Sequence, residues 1–518
     1  MRRALVLLAA AAISLAATFG GPEEVDPKSA PQTLGYGIEA QLGVDGSGRA
    51  YWLTERLDDQ FEGHAYVLER CGGAWELALD VANGDPMIQD LAVAPSGAAV
   101  AVWVENLDVL RTAYRAPAGT WGPPQTLQTT GQVESADAAI DANGDVVLAW
   151  QGVQSDKVSA SYRPAATGVW EQPTELAGFG NPRVAILNGS AIVTASDAKV
   201  IQDKILAFPR PWGGQPEVVV DHNGNMRGGG WLEYDPVSGR AMLLYSEGPV
   251  VGRSLRALVR NGGAWTLSAE LEFLASGFLN PWALVRHRDG LVAVWTSDSN
   301  ASMNVRRFNG TGWDTLQNFK PGGTFEYAAA GANAEGETVV AGSRDGEIWG
   351  ATAAGIGGAW SGLARLSAAG PGWRFPLAAG GGGRLVVAWG DHRGGQQRTL
   401  AAVSGACTAA PPPQPTATAT PAPTPQPPPP PANPQSKPKP VTIADVVTLP
   451  SAKKCRDSLK LKFRKPAKRV AMTVNGKKIK VKIGKAVTIK LRKRTTLKIT
   501  VTLADGSKLK STARFKPC

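Results

Sequence analysis

The chain is poor in the residues that most often carry catalysis or hold metal ions. Its 518 residues include only four His and four Cys, and none of them stands in a C-x-x-C or H-E-x-x-H spacing. The nucleophile motif Gly-x-Ser-x-Gly is absent, and the glycine runs at 228–230 and 380–383 lack the lysine and following helix of a phosphate-binding loop. These absences argue against the common motif-bearing metalloenzymes, serine hydrolases and nucleotide-binding proteins. We predict neither a metal centre nor a cofactor.

A long apolar run is also missing, since a transmembrane helix needs about 18 residues or more. The apolar segment at 4–17 is shorter and Ala-rich, and it follows Arg2 and Arg3. Ser14 and Ala16 provide the small residues of a signal peptidase site, so we interpret residues 1–20 as a secretory signal. No cysteine follows it to carry a lipid, and we predict no transmembrane anchor. We therefore expect the protein to be secreted or associated with the cell surface.

Acidic residues are scarce in the last part of the chain. Residues 441–518 hold 23 Lys and Arg against 3 Asp and Glu, whereas residues 21–411 hold 28 against 41. Residues 409–440 between them consist mostly of Pro, Thr and Ala, which cannot build a core and favour an extended spacer. We predict a large domain at 21–408, a linker at 409–440 and a basic domain at 441–518 whose charge suits an anionic partner.

The large domain repeats one pattern eight times. A turn containing glycine leads into an alternating apolar strand, and successive turns stand about 46 to 52 residues apart. The turns lie at 45–48, 95–97, 141–145, 188–189, 235–239, 289–290, 335–336 and 380–383. This period fits the four-stranded blade of a β-propeller. We predict an all-β fold with eight blades, or seven if a degenerate unit near Gly342 or Gly383 is not a blade.

A tryptophan stands before the last strand of seven of the eight units. These residues are Trp75, Trp121, Trp170, Trp212, Trp265, Trp313 and Trp360. The eighth unit lacks it, but residues 30–34 read Ala-Pro-Gln-Thr-Leu, close to Pro-Pro-Gln-Thr-Leu at 123–127. We predict that this N-terminal segment is the outer strand of the last blade, which would close the ring and remove the exposed sheet edges.

The four cysteines predict two disulfides in an exported protein. Cys455 and Cys518 bracket the basic domain. Cys71 and Cys407 occupy near-equivalent places in the first and last units, which are neighbours in a closed ring. A bond between them would join the two ends of the propeller. Two free thiols are the alternative.

The order of the repeat resembles the sialidase-related propeller repeats of secreted bacterial proteins. It consists of a D-x-x-G turn, a V-x-x-W strand and then G-x-W-x-x-P, over about residues 31–407. The sialidase Asp box, S-x-D-x-G-x-x-W, is not intact in any unit. The family's arginine triad, tyrosine nucleophile and acid match no specific positions of this chain. The resemblance therefore implies the architecture without carrying the activity.

The basic domain alternates apolar residues with lysines. Leu459 and Leu461 flank Lys460, the same period of two continues through 478–483, and Asn475 begins an Asn-Gly turn. This pattern predicts a small antiparallel sandwich of immunoglobulin type, apolar on one face and lysine-rich on the other. The domain resembles the Cys-bounded basic domains that end many secreted bacterial proteins.

Aromatic residues at the ends of the second strands are the candidate ligand-binding groups. The candidates, with the polar residues that follow them, are Trp103, Glu105, Trp150, Trp295, Asp298, Trp389 and Asp391. An aromatic ring beside a carboxylate suits a sugar, whose C–H face stacks on the ring while its hydroxyls bond the oxygen atoms. The alternative is that these rings pack between blades, since large apolar side chains are usually buried.

The turn at Asp141, Asn143 and Asp145 has the spacing that begins a calcium loop. Its glycine stands at the fourth position instead of the sixth, and Gly152 stands where the loop needs a bidentate acid. We interpret the segment as a hairpin turn, with calcium at the ring as the remaining alternative.

Together these features predict a secreted, non-enzymatic binding protein. The propeller would bind a carbohydrate or a secreted protein, and the basic domain would associate with an anionic polymer of the cell envelope. Nucleic acid is not expected, because the protein is exported and aromatic residues for base stacking are nearly absent from the basic domain. The alternative is a sialidase-like glycoside hydrolase or lyase. Arginines and acids converging on the channel mouth would favour the enzyme, and small residues there would argue against it.

Overall fold

The computed structural model describes residues 19–25, 40–408 and 458–515, except for 58–62, 83–85, 118, 128–130, 154, 156, 198–203, 222–229, 249–251, 278, 298–300, 321, 369–374, 392–397, 463–466, 476, 480, 482–485, 491–494 and 504–507. The chain divides into two compact units, Met1–Thr416 and Ala417–Cys518. All regular elements in the described ranges are β-strands. These ranges contain no helix long and apolar enough to cross a membrane. The predicted all-β fold is confirmed.

The first unit contains eight four-stranded antiparallel sheets, the blades of a β-propeller. In chain order its strands are β1 (Glu23–Glu24), β2 (Ala40–Val44), β3 (Ala50–Leu57), β4 (Gly63–Arg70), β5 (Glu76–Ala82), β6 (Pro86–Val93), β7 (Ala99–Glu105), β8 (Val109–Arg115), β9 (Gln125–Leu127), β10 (Val133–Ile140), β11 (Val146–Gly152), β12 (Lys157–Arg163), β13 (Thr174–Ala177), β14 (Phe179–Leu187), β15 (Ser190–Asp197), β16 (Lys204–Pro209), β17 (Glu217–Asp221), β18 (Trp231–Tyr234), β19 (Ala241–Glu247), β20 (Arg253–Asn261), β21 (Ala264–Leu274), β22 (Leu279–His287), β23 (Gly290–Ser297), β24 (Ser302–Phe308), β25 (Gln317–Phe319), β26 (Phe325–Ala332), β27 (Glu337–Arg344), β28 (Glu347–Ala354), β29 (Ala364–Arg365), β30 (Leu377–Gly381), β31 (Arg384–Asp391) and β32 (Arg398–Ser404).

Blades 1 to 7 each take four consecutive strands, from β2–β5 to β26–β29, and blade 8 combines β30, β31 and β32 with β1. The predicted count of eight is confirmed. The second strand of a blade is covered on both faces because it lies inside its sheet and between two neighbouring blades. For this reason β7 and β23 are buried at every residue, and their sequences are almost continuously apolar.

Apolar clusters between adjacent blades hold the ring together. The repeat tryptophan of each blade packs, partly buried, against the cluster that its blade shares with the preceding one. Trp121 of blade 2 lies against the cluster of blades 1 and 2, and Trp170 of blade 3 against that of blades 2 and 3. The same holds through Trp360 of blade 7. The repeated tryptophan thus fastens consecutive blades to each other.

Blade 8 has no such tryptophan, and Phe19 takes its place. Phe19 packs against the cluster between blades 7 and 8. The Gly20 N–H donates to Val403 O at 3.0 Å, as the N–H of Gly122 donates to Tyr114 O at 2.8 Å in blade 2. Residues 19–25 therefore correspond one by one to residues 121–127.

The strand that completes blade 8 is β1, which follows directly from Phe19. It pairs with β32, and the next residue, Val25, is fully buried between blades 8 and 1. The prediction of an N-terminal closing strand is confirmed, but the segment chosen for it was wrong. Residues 30–34 lie outside the described residues. The register is set by two apolar anchors, Phe19 and Val25, and not by the letter similarity of 30–34 to 123–127.

Further bonds join the last blade to the first. Cys71 and Cys407 form a disulfide with their Cα atoms 5.1 Å apart, which confirms the predicted pair. Thr408 N–H donates to Ser47 O at 2.9 Å, at the first turn of blade 1. The ring is thus closed both covalently and by strand pairing. The other predicted pair, Cys455 and Cys518, lies outside the described residues.

The second unit contains two antiparallel sheets, one of β33 and β36 and one in the order β35-β34-β37-β38. The strands are β33 (Ser458–Lys462), β34 (Ala467–Val474), β35 (Lys477–Ile479), β36 (Ala486–Lys490), β37 (Thr495–Leu503) and β38 (Lys508–Phe515). In β37 the apolar Leu497, Ile499 and Val501 are buried, and Lys498 between them is exposed. This alternation is the predicted one; the immunoglobulin-type arrangement stays a prediction.

Candidate functional site: the central channel and its entrance

The first strands of the eight blades line a central channel of about 550 Å³. Each of these strands is the inner edge of its sheet, so backbone N–H and C=O groups along it lack a neighbouring strand. These backbone groups are therefore satisfied by side chains around the channel or by water.

One arc of the channel wall, formed by blades 7, 8 and 1, consists mostly of glycine and alanine. A Cβ added to Gly331 would lie 2.7 Å from the backbone of Ala379, and one added to Gly380 would lie 2.5 Å from that of Ala332. Only glycine allows the strands to approach this closely. Among the described lining residues, this arc has no ionisable side chain.

The opposite arc, formed by blades 2 to 6, carries charges. Its ionisable residues include Asp90, Asp137, Arg183, Glu233 and Arg286. Arg183 NH1 donates to Asp137 Oδ1 at 3.1 Å, and Arg286 forms an ion pair with Glu233. Each of the two arginines is thus paired with an acid of the wall, and Asp90 belongs to neither pair. We call these five residues the charged arc.

Two carboxylates of the charged arc also bond the backbone of the next blade. Asp90 accepts the N–H of Ala138 at 2.7 Å, and Asp137 accepts the N–H of Val184 at 2.6 Å. Burial, and then the charge of Asp137, raise the pKa of Asp90 to about 7. Burial also raises the pKa of Asp137, against the opposing effect of Arg183. This pair of carboxyl groups therefore retains a proton close to neutral pH.

The arginines of the charged arc span several blades. Arg286 on blade 6 donates to Ile186 O on blade 4 at 3.0 Å. The guanidinium of Arg183 on blade 4 lies 4.6 Å from the ring centre of Trp231 on blade 5. These side chains brace blades 3 to 6 across the channel wall.

Three aromatic rings are in contact where the first strands of blades 6, 7 and 8 begin. The ring centres of Trp282 and Tyr327 are 5.1 Å apart, and those of Tyr327 and Phe375 are 4.2 Å apart. Phe375 is 38% exposed, and its φ of 57° is rare for a bulky residue. We call Trp282, Tyr327 and Phe375 the entrance cluster.

The four tryptophans predicted as ligand-binding residues are buried. Trp103, Trp150, Trp295 and Trp389 are between 0% and 4% exposed and belong to the clusters between blades. The Nε1 atoms of Trp103 and Trp295 are bonded to carboxylates. A sugar could stack on these rings only if the blades separated, so the packing alternative describes their placement. A binding role for them stays a prediction.

The predicted polar partners are placed differently from one another. Glu105 is buried and accepts from Trp103 Nε1 at 3.1 Å and from Arg111 Nε at 2.9 Å. Asp391 is the last residue of β31, and Asp298 lies outside the described residues. Among the candidates whose side chains the structure describes, Trp103 and Glu105 are therefore the pair that it brings together, and both are buried.

The predicted hairpin turn is built from the side chain of Asp141. Its Oδ1 accepts the N–H groups of Asn143 at 2.9 Å and Asp145 at 3.0 Å, and its Oδ2 accepts the N–H of Gly189 at 2.8 Å. These backbone donors occupy the oxygen atoms that a calcium ion would need. In the described part of the chain, three or more His, Cys, Asp or Glu side chains nowhere gather in a metal-binding arrangement.

The sequence does not assign the chain to a known protein family. No protein-family model matches the chain, and no curated protein matches its sequence. The eight sheets of the ring decide its class. The chain is a β-propeller repeat protein.

Solved structures similar to this propeller chain have low sequence identity to it. The polysaccharide lyase Uly1 is 9% identical, with a TM-score of 0.40 over 76% of this chain and 98% of that one. The β-propeller domain of the Trilobed protease from Pyrococcus furiosus is 11% identical, with a TM-score of 0.40 over 64% and 98%. The Dos1 propeller is 8% identical, with a TM-score of 0.43 over 75% and 95%.

Sequence reasoning missed the charged arc and the entrance cluster. A signal for the first was present, because Asp137 and Arg183 are 46 residues apart, one blade period. Aligning the repeats would have placed both on consecutive first strands. Phe375 carries no such signal, since only the fold brings it against Tyr327.

Proposed function

We propose that this propeller is an exported binding protein that takes a carbohydrate ligand at the entrance cluster. The observation that carries the proposal is Phe375, an exposed ring in a left-handed backbone conformation, held against Tyr327. An exposed aromatic face suits the C–H face of a sugar ring. Backbone strain of this kind concentrates at ligand sites.

Polar groups close to the entrance cluster support the same proposal. Trp231 Nε1 donates to the carbonyl of Pro281, the residue before Trp282, at 3.0 Å. The Trp231 ring in turn carries the guanidinium of Arg183. The Trp231 Nε1 and Arg183 groups already have partners, and the second lone pair of Pro281 O is left to accept a hydrogen bond from a sugar hydroxyl. This is the combination expected from the sequence, formed by different residues.

Binding is favoured over catalysis because both arginines of the charged arc are already paired. Arg183 is engaged by Asp137 and Arg286 by Glu233, so these arginines do not converge on one substrate group. The small-residue arc supplies no further ionisable group from its described lining. A reaction that uses either arginine to bind its substrate would need that arginine's ion pair to be broken.

The test is binding of the full chain to a panel of glycans and cell-wall polysaccharides, measured by calorimetry. We expect Phe375→Ala to weaken binding at least tenfold. Leu77→Ala is the matched control, because Leu77 is 60% exposed on β5 of blade 1, outside the cluster. No binding to any panel member, or equal binding by Phe375→Ala and wild type, would overturn the proposal.

The second candidate is a sialidase-like glycoside hydrolase or lyase, as the order of the repeat implied. One observation favours it: Asp90 has a pKa raised to about 7 by burial and by Asp137, as a general acid requires. Product release from the same glycan panel tests it. If the protein is an enzyme, it should release product, and Asp90→Asn should abolish that release. If it is only a binding protein, no product should appear.

Export and envelope association complete the proposal. The Cys71–Cys407 bond supports an oxidising compartment, in keeping with the signal sequence. The basic unit would adsorb to an anionic envelope polymer through faces such as that of Lys498. Cell fractionation tests both: the full chain should sediment with envelopes and be released by salt, and a chain ending at residue 440 should be found in the medium.

A further inference from the structure

Five consecutive blades carry an arginine near the end of the third strand, directed at the preceding blade. In four of them a glutamate of the preceding blade receives it. The pairs are Arg70–Glu23, Arg115–Glu69, Arg210–Glu171 and Arg260–Glu217. The arginine position is thus the same in each blade, whereas the glutamate comes from the third strand, from the fourth strand or from the residue after the repeat tryptophan.

The fifth arginine, Arg163 of blade 3, has no such partner. It is 8% exposed, and its Nε and NH1 atoms are buried without a hydrogen-bond acceptor among the described residues. Its guanidinium lies 3.5 Å from the ring centre of Tyr114 on blade 2. A buried guanidinium without an anion is costly, and such groups are rare in folded proteins.

One position that could supply an acid to Arg163 is found by comparing two blade junctions. At the junction of blades 3 and 4, Arg210 lies 3.7 Å from the ring centre of Tyr162 and is paired with Glu171. The N–H of Glu171 donates to Tyr162 O at 2.8 Å, and the N–H of Gly122 donates to Tyr114 O at 2.8 Å. Gly122 thus occupies the position of Glu171 with the same backbone bond, and it has no side chain to offer.

A cleft lies where the glutamate would be. Its volume is about 530 Å³, and Arg163, Tyr114 and Gly122 line it together with the polar Thr120, Gln125 and Asn143. This volume is within the usual range for small-molecule sites. Asp145, the acid of the nearby turn, is not the missing partner of Arg163. It accepts the N–H of Ala165 at 2.7 Å and hydrogen-bonds Tyr162 of blade 3, whose ring faces Arg210 of blade 4.

We propose that this cleft binds a carboxylate-bearing ligand, whose carboxylate pairs with Arg163 as the missing glutamate would. The four equivalent arginines each pair with a carboxylate, and a guanidinium can bind a carboxylate through two parallel hydrogen bonds. The hydroxyl and amide groups of Thr120, Gln125 and Asn143 suit the hydroxyls of an acidic sugar. The site lies between blades 2 and 3 and does not depend on the entrance cluster.

The ligand chemistry is tested by calorimetry on the full chain with four probes: glucuronate, glucose, acetate and inorganic phosphate. We expect glucuronate and acetate to bind and glucose not to bind. Glucuronate affinity at least ten times that of acetate would identify an acidic sugar, and equal affinity a simple carboxylate. Absence of binding by both carboxylates, or binding of phosphate alone, would overturn the proposal.

Two substitutions locate the binding. Arg163→Gln should lower glucuronate affinity at least tenfold. Gly122→Glu should do the same by supplying the acid internally; its Cβ would lie 3.2 Å from Tyr114 O, a small adjustment. Gly214→Glu is the control for added charge, because a Cβ there meets nothing within 4 Å. Affinities of both cleft variants equal to wild type would refute the site.

Discussion

Cys71 and Cys407 are joined across 336 residues of sequence, and their bond lies where the last blade of the ring meets the first. Near the bond, Arg384 NH1 donates to Gly48 O at 3.0 Å across the same junction. The weakest place in a ring of blades is the junction between its two chain ends, because no continuous chain crosses it. This propeller reinforces that junction with a covalent bond.

Removing the disulfide should therefore destabilise the propeller. We expect the double variant Cys71→Ser, Cys407→Ser to lose about 2–5 kcal/mol of unfolding free energy, because the bond closes a very long loop in the unfolded chain. Urea unfolding followed by tryptophan fluorescence measures the loss. A reductant should shift the wild-type midpoint towards that of the variant. Equal midpoints for both proteins under oxidising conditions would contradict the prediction.

The closing strand offers a second test, at Val25. Val25 is 0% exposed between blades 8 and 1, and its neighbour Glu24 is exposed. Val25→Ala should cost about 1–3 kcal/mol from lost apolar burial and the cavity left behind. Glu24→Ala should change stability by less than about 0.5 kcal/mol. If the two variants unfold at the same urea concentration, β1 is not part of the stable ring.

The tryptophans of the second strands should behave as core residues. Trp295 is 0% exposed, so Trp295→Ala should destabilise the propeller by about 3–5 kcal/mol. Phe375→Ala, at an exposed ring, should cost less than about 1 kcal/mol. Thermal unfolding of the two variants gives the comparison. A Trp295→Ala protein as stable as wild type would mean that its blades do not need this ring.

The Asp90 carboxyl predicts a pH dependence of stability. Its pKa is about 7 in the folded protein, raised chiefly by burial, against about 3.9 in an unfolded chain. Between these pH values the folded state holds a proton that the unfolded state has released, so stability falls as pH rises from 4 to 7. The destabilising effect is complete above pH 7 and absent below pH 4.

Asp90→Asn removes this titration. The melting temperature of the variant, relative to wild type, should therefore be higher at pH 8 than at pH 4. Glu134→Gln, at an exposed position of the neighbouring strand β10, is the control and should show no such difference. A constant offset for Asp90→Asn across the pH range would show that Asp90 titrates like an exposed carboxyl.

Much of the fold could be predicted because its signals are local. The turn at Asp141 is a hairpin in the sequence and in the structure, and its side chain makes the bonds that close it. The periodic tryptophans marked the blade junctions, and the equivalent positions of Cys71 and Cys407 revealed the disulfide. The turns and the tryptophans repeat with the blade period, so several units support one another, and the cysteines stand at equivalent places of the first and last units.

The remainder could not be predicted because it depends on single exceptions to the repeat. The outer strand of blade 8 was assigned to 30–34 by letter similarity, whereas Phe19 replaces a tryptophan and so escaped a search for that residue. Trp295 was a candidate binding residue with packing between blades as the alternative, and the neighbouring blade covers it. Arg163 was missed for the opposite reason: its signal is an absent acid, at Gly122, which stands out only when blades are compared with each other.

The place of Phe19 in the ring has a consequence for the maturation of the protein. A peptidase cut after residue 20 would remove Phe19, while a cut after Ala16 would leave it on the mature chain. The segment that completes the last blade precedes its partner β32 by more than 370 residues. The ring can therefore close only after β32 has been synthesised, and under the proposed export closure would follow translocation of the whole propeller.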